Sequence, residues 1–147
     1  MAANIAVALS LQGHSTGLLD TDFHGPTIPK LLGLEVTQLT SSDGKKLDPA
    51  ELGALKVISV DFMVGSRTDP VIWRGPMKMN VIKQLFEDVR WGHLQYMVVD
   101  CPPGTGDEPL SVVQLIPEPS GAVIVTTPQE VSLTDVRRSI QFCPAPQ

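Results

Sequence analysis

The chain has 147 residues, of which 42% are hydrophobic and 18% are charged, and its formal net charge at pH 7 is −5. This composition predicts one folded domain, and the acidic balance argues against a nucleic-acid partner, since a protein that tracks phosphates needs clustered Lys and Arg. No apolar run approaches the roughly 20 residues of a membrane span and the first residues lack a leader pattern, so we expect no membrane partner and a cytoplasmic location.

The first half of the chain predicts a helix, two strands and an irregular insertion. Residues 2–12 are rich in Ala and Leu and indicate a well-buried helix that ends at Gly13. Residues 16–20, TGLLD, predict a short strand that ends on an acid. Residues 34–55 mix Ser, Asp, Gly, Lys and Pro and indicate an irregular insertion, after which the run KVISVDFMV at 56–64 predicts a second strand.

The second half predicts alternating helices and strands. Pro76 opens a helix, because apolar residues recur after it at helical spacing. Strands are predicted at 96–101 and 121–127, and helices near 109–116 and at 130–141. Apolar strands separated by helices predict an α/β fold with a mostly parallel sheet and helices on both faces.

Two of the predicted strands finish on an acid, in GLLDTDFHGP at 17–26 and YMVVDCPPG at 96–104. Ligands of open α/β sheets gather at the carboxyl ends of the strands. Asp20 and Asp100 would both lie at that edge, where a carboxylate can hold a hydrated Mg²⁺ that bridges to substrate phosphates. Asp22 adds a further carboxylate near the same edge, suited to orienting a water for attack on a γ-phosphate.

The loop that follows Asp100 is unusually constrained for a simple turn. Gly104 and Gly106 would let the backbone approach a phosphate oxygen, while Pro102 and Pro103 fix the path of the turn. We therefore expect a phosphate group to lie against this backbone.

Each of these features also has a purely structural explanation. Asp20, taken alone, is typical of a turn or an N-cap residue, and Asp107 and Glu108 are expected to cap the helix that Pro109 begins. The segment at 73–76, Trp-Arg-Gly-Pro, fits packing and helix entry as well as a functional role. Structural roles are expected for the three histidines, which are scattered: His14, His24 and His93.

The two cysteines, Cys101 and Cys143, are too few and too far apart for a disulfide framework or a CxxC metal site. We expect both to be reduced thiols. Cys101 lies next to the predicted phosphate site, where the alternatives are a redox-active thiol and a small buried filler, and the second is favoured.

Four segments, in this order, resemble the Mrp/ApbC-type iron–sulfur cluster carrier ATPases, which belong to the deviant-Walker-A class of P-loop proteins together with MinD and ParA. The segments are GLLDTDFHGPTIPKLLG, PVIWRGPM, VRWGHLQYMVVDCPPGTGDEPLSV and GAVIVTTPQEVSLTDVRRSI. The resemblance covers essentially the whole chain and is weakest at 35–55.

The resemblance implies a role for each matching residue. Asp22 matches the switch I aspartate, which positions the attacking water, and Asp20 matches the first acid of that motif, nearer the metal. Asp100 matches the Walker B acid that holds Mg²⁺ through water, and Gly104 matches the switch II glycine whose N–H faces the γ-phosphate. The segment at 73–76 would lie near a dimer interface that sandwiches ATP.

The resemblance also implies partners and cargo. The intact family member binds ATP with Mg²⁺, forms a homodimer or a heterodimer with a paralogue, and carries a [4Fe–4S] cluster that a CxxC pair holds between two subunits. Iron–sulfur apo-proteins are the implied clients. Cys143 lies well before the position of that CxxC pair, so no cluster ligand is assigned to this chain.

Two departures from the family pattern leave ATPase activity open. The phosphate-loop pattern G-x-x-x-x-G-K-[ST] is absent, because the Gly44-Lys45 pair continues with Lys46 and has Leu39 at the first glycine position. We expect residues 1–147 to form a single partial P-loop domain that lacks the first strand and the phosphate loop. Each unsatisfied buried group along the resulting apolar groove would cost about 1–3 kcal/mol.

Three functional hypotheses follow. The chain is a fragment of an ATP-dependent iron–sulfur carrier, or a non-catalytic module that dimerises with a full-length paralogue. The third hypothesis, a ParA-like partition ATPase that binds DNA, is disfavoured by the acidic charge and by the Trp-Arg-Gly-Pro segment.

Overall fold

The computed structural model describes residues 1–35, 39–63, 75–104, 106–116 and 118–142, with the backbone alone described at 107, 131, 134, 135 and 142. Four strands form one sheet in the order β2-β3-β1-β4. The strands are β1 (Thr16–Asp20), β2 (Ala50–Leu52), β3 (Leu55–Ser59) and β4 (Tyr96–Asp100). Strand β1 pairs in parallel with both β3 and β4, and β2 is antiparallel to β3. The predicted mostly parallel sheet is therefore confirmed.

Five α-helices connect or flank the strands in the described residues. They are α1 (Ala2–Leu11), α2 (Ile28–Leu31), α3 (Gly75–Glu87), α4 (Asp107–Leu115) and α5 (Glu130–Phe142). The four predicted helices are confirmed, with bounds that differ by at most two residues. Gly13 has φ +90°, a conformation that L side chains rarely adopt, which explains why α1 stops there.

The predicted burial of α1 is wrong. Ala3 and Ala6 are buried, but Leu11 is 84% exposed. The helix lies on one face of the sheet and contacts β1, β3 and β4, so its outer side faces solvent although its sequence is apolar nearly all round.

Alternate residues of the central strands supply two separate cores. Leu18 and Val57 pack with Ala3, Ala6 and Ile28 on one face of the sheet. On the other face, Leu19 and Ile58 pack with a larger group from the 3-10 turn, α3 and the segment after it, namely Val60, Phe62, Val81, Leu85, Val89 and Trp91. Helices therefore cover both faces, as the alternation of side chains along a strand requires.

In its described residues, the segment predicted as an irregular insertion, 34–55, contains one short strand and the first residue of the next. Residues Ala50–Leu52 form β2, which turns at Gly53 (φ +62°) and pairs with β3 as a hairpin. The following strand is shorter than the predicted 56–64, because β3 ends at Ser59 and Val60–Met63 form a 3-10 turn.

The strand predicted at 121–127 is absent from the structure. This segment makes no ladder with another strand, and Val123 and Val125 are 72% and 58% exposed. Strand β4 pairs with β1 on one side, and no described strand lies on its other side. An apolar, β-branched run forms a strand only where a neighbouring backbone accepts its hydrogen bonds, and the described residues offer none at that edge.

Candidate functional site

Two aspartates lie side by side at the carboxyl edge of the sheet. In the parallel pairing of β1 with β4, Asp20 is the direct partner of Asp100. Two consecutive hydrogen bonds join the strand ends, because Thr21 donates to the Asp100 carbonyl from its N–H at 2.9 Å and from its Oγ1 at 2.8 Å. Asp20 and Asp100 therefore lie at one edge of the sheet, as predicted, and the structure adds that they are direct neighbours.

The carboxylate of Asp20 is almost completely buried, with 1% of the residue exposed. Its Oδ1 accepts the Asp22 N–H at 3.1 Å, and its Oδ2 accepts the Ser59 hydroxyl at 3.0 Å. Burial raises its pKa from 3.8 to about 6; the charge of Asp100 adds to the rise, and the hydrogen bonds from Asp22, Ser59 and Ile28 oppose it. A buried carboxylate with a raised pKa is one that a cation would stabilise in its charged form.

Asp22 begins the loop that leads away from the site. Its Oδ1 accepts the backbone N–H groups of His24 at 3.0 Å and of Gly25 at 3.1 Å. These two bonds close an Asx turn that fixes the direction of the loop. Asp22 therefore lies two residues from Asp20 with its carboxylate oriented by the backbone that follows it.

Asp100 is half-buried and its pKa is raised, first by burial and also by the negative charge of Asp22. The positive amino terminus at Met1 acts in the opposite direction. That terminus precedes α1, so the N-terminal end of this helix lies toward the carboxyl edge of the sheet, where the acids are. A helix N-terminus favours negative charge nearby.

The glycine loop after Asp100 has the backbone freedom that the sequence predicts. Gly104 has φ +95°, and a Cβ added there would contact nothing within 4 Å. The position is therefore open as well as conformationally restricted to glycine. The structure does not describe Thr105, which follows it.

The donors at this edge fit a magnesium ion that keeps most of its water. In the described parts of the chain, no three His, Cys, Asp or Glu side chains are grouped closely enough to enclose a metal ion. Mg²⁺ does not require such a cage, because it is commonly bound by one or two carboxylates, several waters and substrate phosphate oxygens. Asp20 and Asp100 match that requirement, because both offer carboxylate oxygens as ligands. Their raised pKa values show that their negative charge is not fully compensated within the chain.

A second charged cluster lies beside the loop of Asp22. The Lys78 ammonium on α3 donates to Glu108 Oε1 on α4 at 2.5 Å and lies 3.1 Å from His24 Nε2. Only 10% of the Lys78 side chain and 6% of the Glu108 side chain are exposed. The Phe23 ring lies 5.8 Å below the same ammonium. The expectation that Glu108 caps α4 holds only in part: Gly106 is the N-cap residue, and the Glu108 carboxylate accepts its own backbone N–H but pairs mainly with Lys78. The side chain of Asp107, the other expected cap, is outside the described part of the structure.

Sequence reasoning missed several residues of the site, including Ser59, Thr21 and Lys78. A signal existed for two of them. Ser59 is a polar residue at the end of an apolar strand, and Lys78 lies one and two turns before Ile82 and Leu85 on the buried side of α3.

Some predicted features cannot be placed. Trp73 and Arg74 of the Trp-Arg-Gly-Pro segment lie outside the described residues, as does Cys143. Gly75 and Pro76 begin α3, as predicted for the helix entry. Cys101 has intermediate exposure, which is less burial than the expected role of a small buried filler implies.

Comparison with known proteins gives a consistent result. A family model described as "ParA: NUBPL iron-transfer P-loop NTPase" matches residues 1–147. The chain is 46% identical over 144 residues to an iron-sulfur cluster carrier protein of Saccharolobus solfataricus, a match that covers 97% of this chain and 48% of that protein. It is 47% identical over 147 residues to a cytosolic Fe-S cluster assembly factor Nubp2 homolog of Drosophila willistoni, covering 97% and 56%.

A solved structure is similar in fold as well as in sequence. A nucleotide-binding protein from Archaeoglobus fulgidus, solved in complex with ADP, superposes with a TM-score of 0.76 at 39% identity, over 95% of this chain and 53% of that one. The chain spans about half the length of the curated relatives that it matches. Among the described helices, none has both the length and the apolar character that crossing a membrane requires.

Proposed function

This chain belongs to the ParA family, in the group described as NUBPL iron-transfer P-loop NTPases, and from that membership we propose that it binds Mg·ATP in a protein that carries iron–sulfur clusters. The resemblance to iron–sulfur carrier ATPases is thereby confirmed at the level of the family. The substrate, the chemistry and the residue roles that follow are our proposal.

One observation carries the proposal: Asp20 and Asp100 are register partners at the carboxyl ends of adjacent parallel strands, and Asp22 follows two residues later. This edge is where open α/β sheets bind phosphorylated ligands. Burial disfavours the charged form of both carboxylates. A divalent cation would therefore offset the free energy that it costs to keep them ionised in the folded chain.

The proposed roles follow from these positions. Asp100 would hold hydrated Mg²⁺ with Asp20 beside it, and the ion would neutralise charge on the β- and γ-phosphates. Asp22 would orient the attacking water, since its second carboxylate oxygen is not used in the Asx turn with His24 and Gly25. Gly104 would allow a backbone N–H to approach the γ-phosphate, because its open position leaves room for a ligand.

The wider function concerns cargo and partners. We propose that ATP binding and hydrolysis reshape a homodimer or a paralogue heterodimer, and that this change governs binding or transfer of a [4Fe–4S] cluster to apo-proteins. The names of the relatives from Saccharolobus solfataricus and Drosophila willistoni support a cluster-carrier role, and the second supports a cytosolic location. No residue of this chain is proposed as a cluster ligand.

A second function, a non-catalytic dimerisation module, is favoured by a specific surface. Methionine and leucine side chains on α3 and α4 are exposed next to the Gly75–Pro76 helix entry: Met77 by 49%, Met79 by 38% and Leu110 by 41%. A chain with this role would elute with a full-length paralogue in size-exclusion chromatography without binding nucleotide. A chain that elutes alone in that mixture would exclude the module.

Calorimetric titration of the purified chain with Mg·ATP tests the proposed function. We expect saturable binding, and we expect Asp100→Ala to weaken it by at least about 30-fold, the equivalent of the 2 kcal/mol or more typical for losing one partner of a desolvated charge interaction. The matched control is Asp88→Asn, which neutralises an exposed acid just after α3 and should leave the affinity unchanged.

The same titration without Mg²⁺ separates metal-dependent binding from non-specific binding. Equal affinities for ATP with and without Mg²⁺, or equal affinities of the unsubstituted chain and Asp100→Ala, would contradict the proposed metal role. Absence of any binding by the folded chain would leave the dimerisation module as the better description.

A further inference from the structure

The charged cluster of Lys78, Glu108 and His24 connects three segments that are distant in sequence. Lys78 lies on α3, Glu108 lies on α4 30 residues later, and His24 lies 54 residues earlier in the loop of Asp22. We propose that Lys78 is a positioning residue that couples the Asp22 loop to the Asp100 loop. The functional meaning of this coupling rests on the proposed function, but the coupling itself is a property of the geometry.

The chemistry of the three groups fixes their roles. A lysine ammonium has three donors and no acceptor, so the His24 Nε2 at 3.1 Å must accept, which requires neutral His24 with its proton on Nδ1. The Glu108 carboxylate accepts a charge-assisted hydrogen bond from the same ammonium. Lys78 therefore contacts both loops through one atom, by a buried bond to Glu108 and by a bond to His24, whose side chain is 76% exposed.

Burial makes this connection more than a surface ion pair. Exposed pairs are weak because water competes for both partners, whereas the side chains of Lys78 and Glu108 are 10% and 6% exposed. Burial by itself would raise the pKa of Glu108, yet the hydrogen bonds from Lys78 and from the Glu108 backbone N–H, together with the charge of the ammonium, outweigh it, so the pKa lies below its usual value. The buried pair therefore stays charged, and separating its two members leaves an uncompensated charge in a buried position.

Each end of the cluster is directly tied to a candidate catalytic loop. His24 supplies one of the two N–H groups that hold Asp22 Oδ1, so a displacement of His24 changes the orientation of that carboxylate. Glu108 is in the first turn of α4, directly after the loop of Gly104 and Gly106. A shift of the glycine loop toward a phosphate would thus be transmitted through Glu108 and Lys78 to Asp22.

The backbone amides of His24 and Gly25 report this coupling without any nucleotide. Both donate to Asp22 Oδ1, so the rate at which their amide hydrogens exchange with solvent reports how firmly the Asp22 carboxylate is held. NMR methods for exchange within seconds or faster measure these rates. We expect Glu108→Gln, a substitution 84 residues away from His24, to accelerate these two amides about tenfold, the equivalent of losing one hydrogen bond to a charged group. The amides within α1 should not change.

The matched control is Glu87→Gln, which removes the acid of an exposed pair with Lys83 on α3 and should leave every rate unchanged. Since loss of Lys78 alone risks unfolding, the second variant is Lys78→Met combined with Glu108→Leu, which leaves no buried unpaired charge. We expect it to keep the stability of the chain but to accelerate His24 and Gly25 as Glu108→Gln does.

A purely structural role gives a different result. Uniform acceleration of all protected amides, or unchanged His24 and Gly25 rates in the stable double variant, would overturn the coupling. Selective acceleration supports it even if the unsubstituted chain fails to bind Mg·ATP in the separate titration, a failure that would count against the proposed function alone.

Discussion

Replacing Lys78 with Met is expected to lower the free energy of unfolding by about 3 kcal/mol, one of the larger single-site losses in this chain. The substitution leaves Glu108 with 6% of its side chain exposed and without the ammonium that compensates its charge. For a domain of this size the loss corresponds to a melting temperature lower by about 6–12 °C. Urea denaturation followed by circular dichroism measures it directly.

The same substitution five residues further along α3, at Lys83, is the control. Lys83 also pairs with a glutamate, Glu87, at 3.9 Å, but both side chains are more than half exposed, so Lys83→Met should change the stability by less than about 0.5 kcal/mol. Adding Glu108→Leu to Lys78→Met should recover most of the lost stability. If Lys78→Met proved no more damaging than Lys83→Met, the pair would have to be solvated, contrary to the structure.

The sequence predicts the framework of the site because the framework depends on local patterns. Strand β1 was predicted residue for residue, since a run of apolar residues between Gly13 and an acid leaves little freedom for its ends. The apolar spacing after Pro76 predicts α3, and Val81, Ile82 and Leu85 are buried as expected. With two parallel strands ending on acids, the sequence places Asp20 and Asp100 at one edge of the sheet, and the observed pairing of β1 with β4 makes them neighbours.

Features that depend on contacts between distant segments were not predictable in this way. Glu108 has the residue type and the position of a helix cap. Only the packing of α3 against α4 shows that its carboxylate forms an ion pair with Lys78. The segment at 121–127 has the local pattern of a strand, but it lacks a neighbouring strand among the described residues. Tertiary context thus overrides local propensity in both cases: it gives Glu108 a partner that the local pattern does not show, and it withholds from 121–127 the neighbouring strand that the local pattern needs.

Ser59 shows how the framework and the distant contacts combine. Its position at the end of β3 places it in register with Asp20, and its hydroxyl donates to that carboxylate at 3.0 Å. The same Oγ accepts the N–H of Asp61 at 3.1 Å, so the 3-10 turn after β3 is tied to the site. The end of each central strand therefore contributes a polar group to one buried network.

Asp20→Asn is expected to stabilise the chain near pH 7.5 by about 2 kcal/mol while weakening Mg·ATP binding. The pKa of Asp20 is about 6 in the folded chain against 3.8 as the ordinary value, so the folded state binds its proton more tightly. The stability that this group contributes is therefore largest at low pH and falls by up to about 3 kcal/mol as the pH rises from 4 to above 6. Asparagine removes that loss because it never ionises.

Thermal denaturation from pH 4 to pH 8 separates this effect from a general one. The Asn variant should melt about 4–8 °C higher than the unsubstituted chain at pH 7.5, with a smaller difference at pH 4. Asp88→Asn, at an exposed acid, should follow the unsubstituted chain at every pH. A lower melting temperature for Asp20→Asn at pH 7.5 would mean that its hydrogen bonds with Ser59 and Asp22 outweigh the burial of its charge. Higher stability together with weaker Mg·ATP binding would show that the fold keeps an unfavourable buried carboxylate at Asp20 because the ligand needs it.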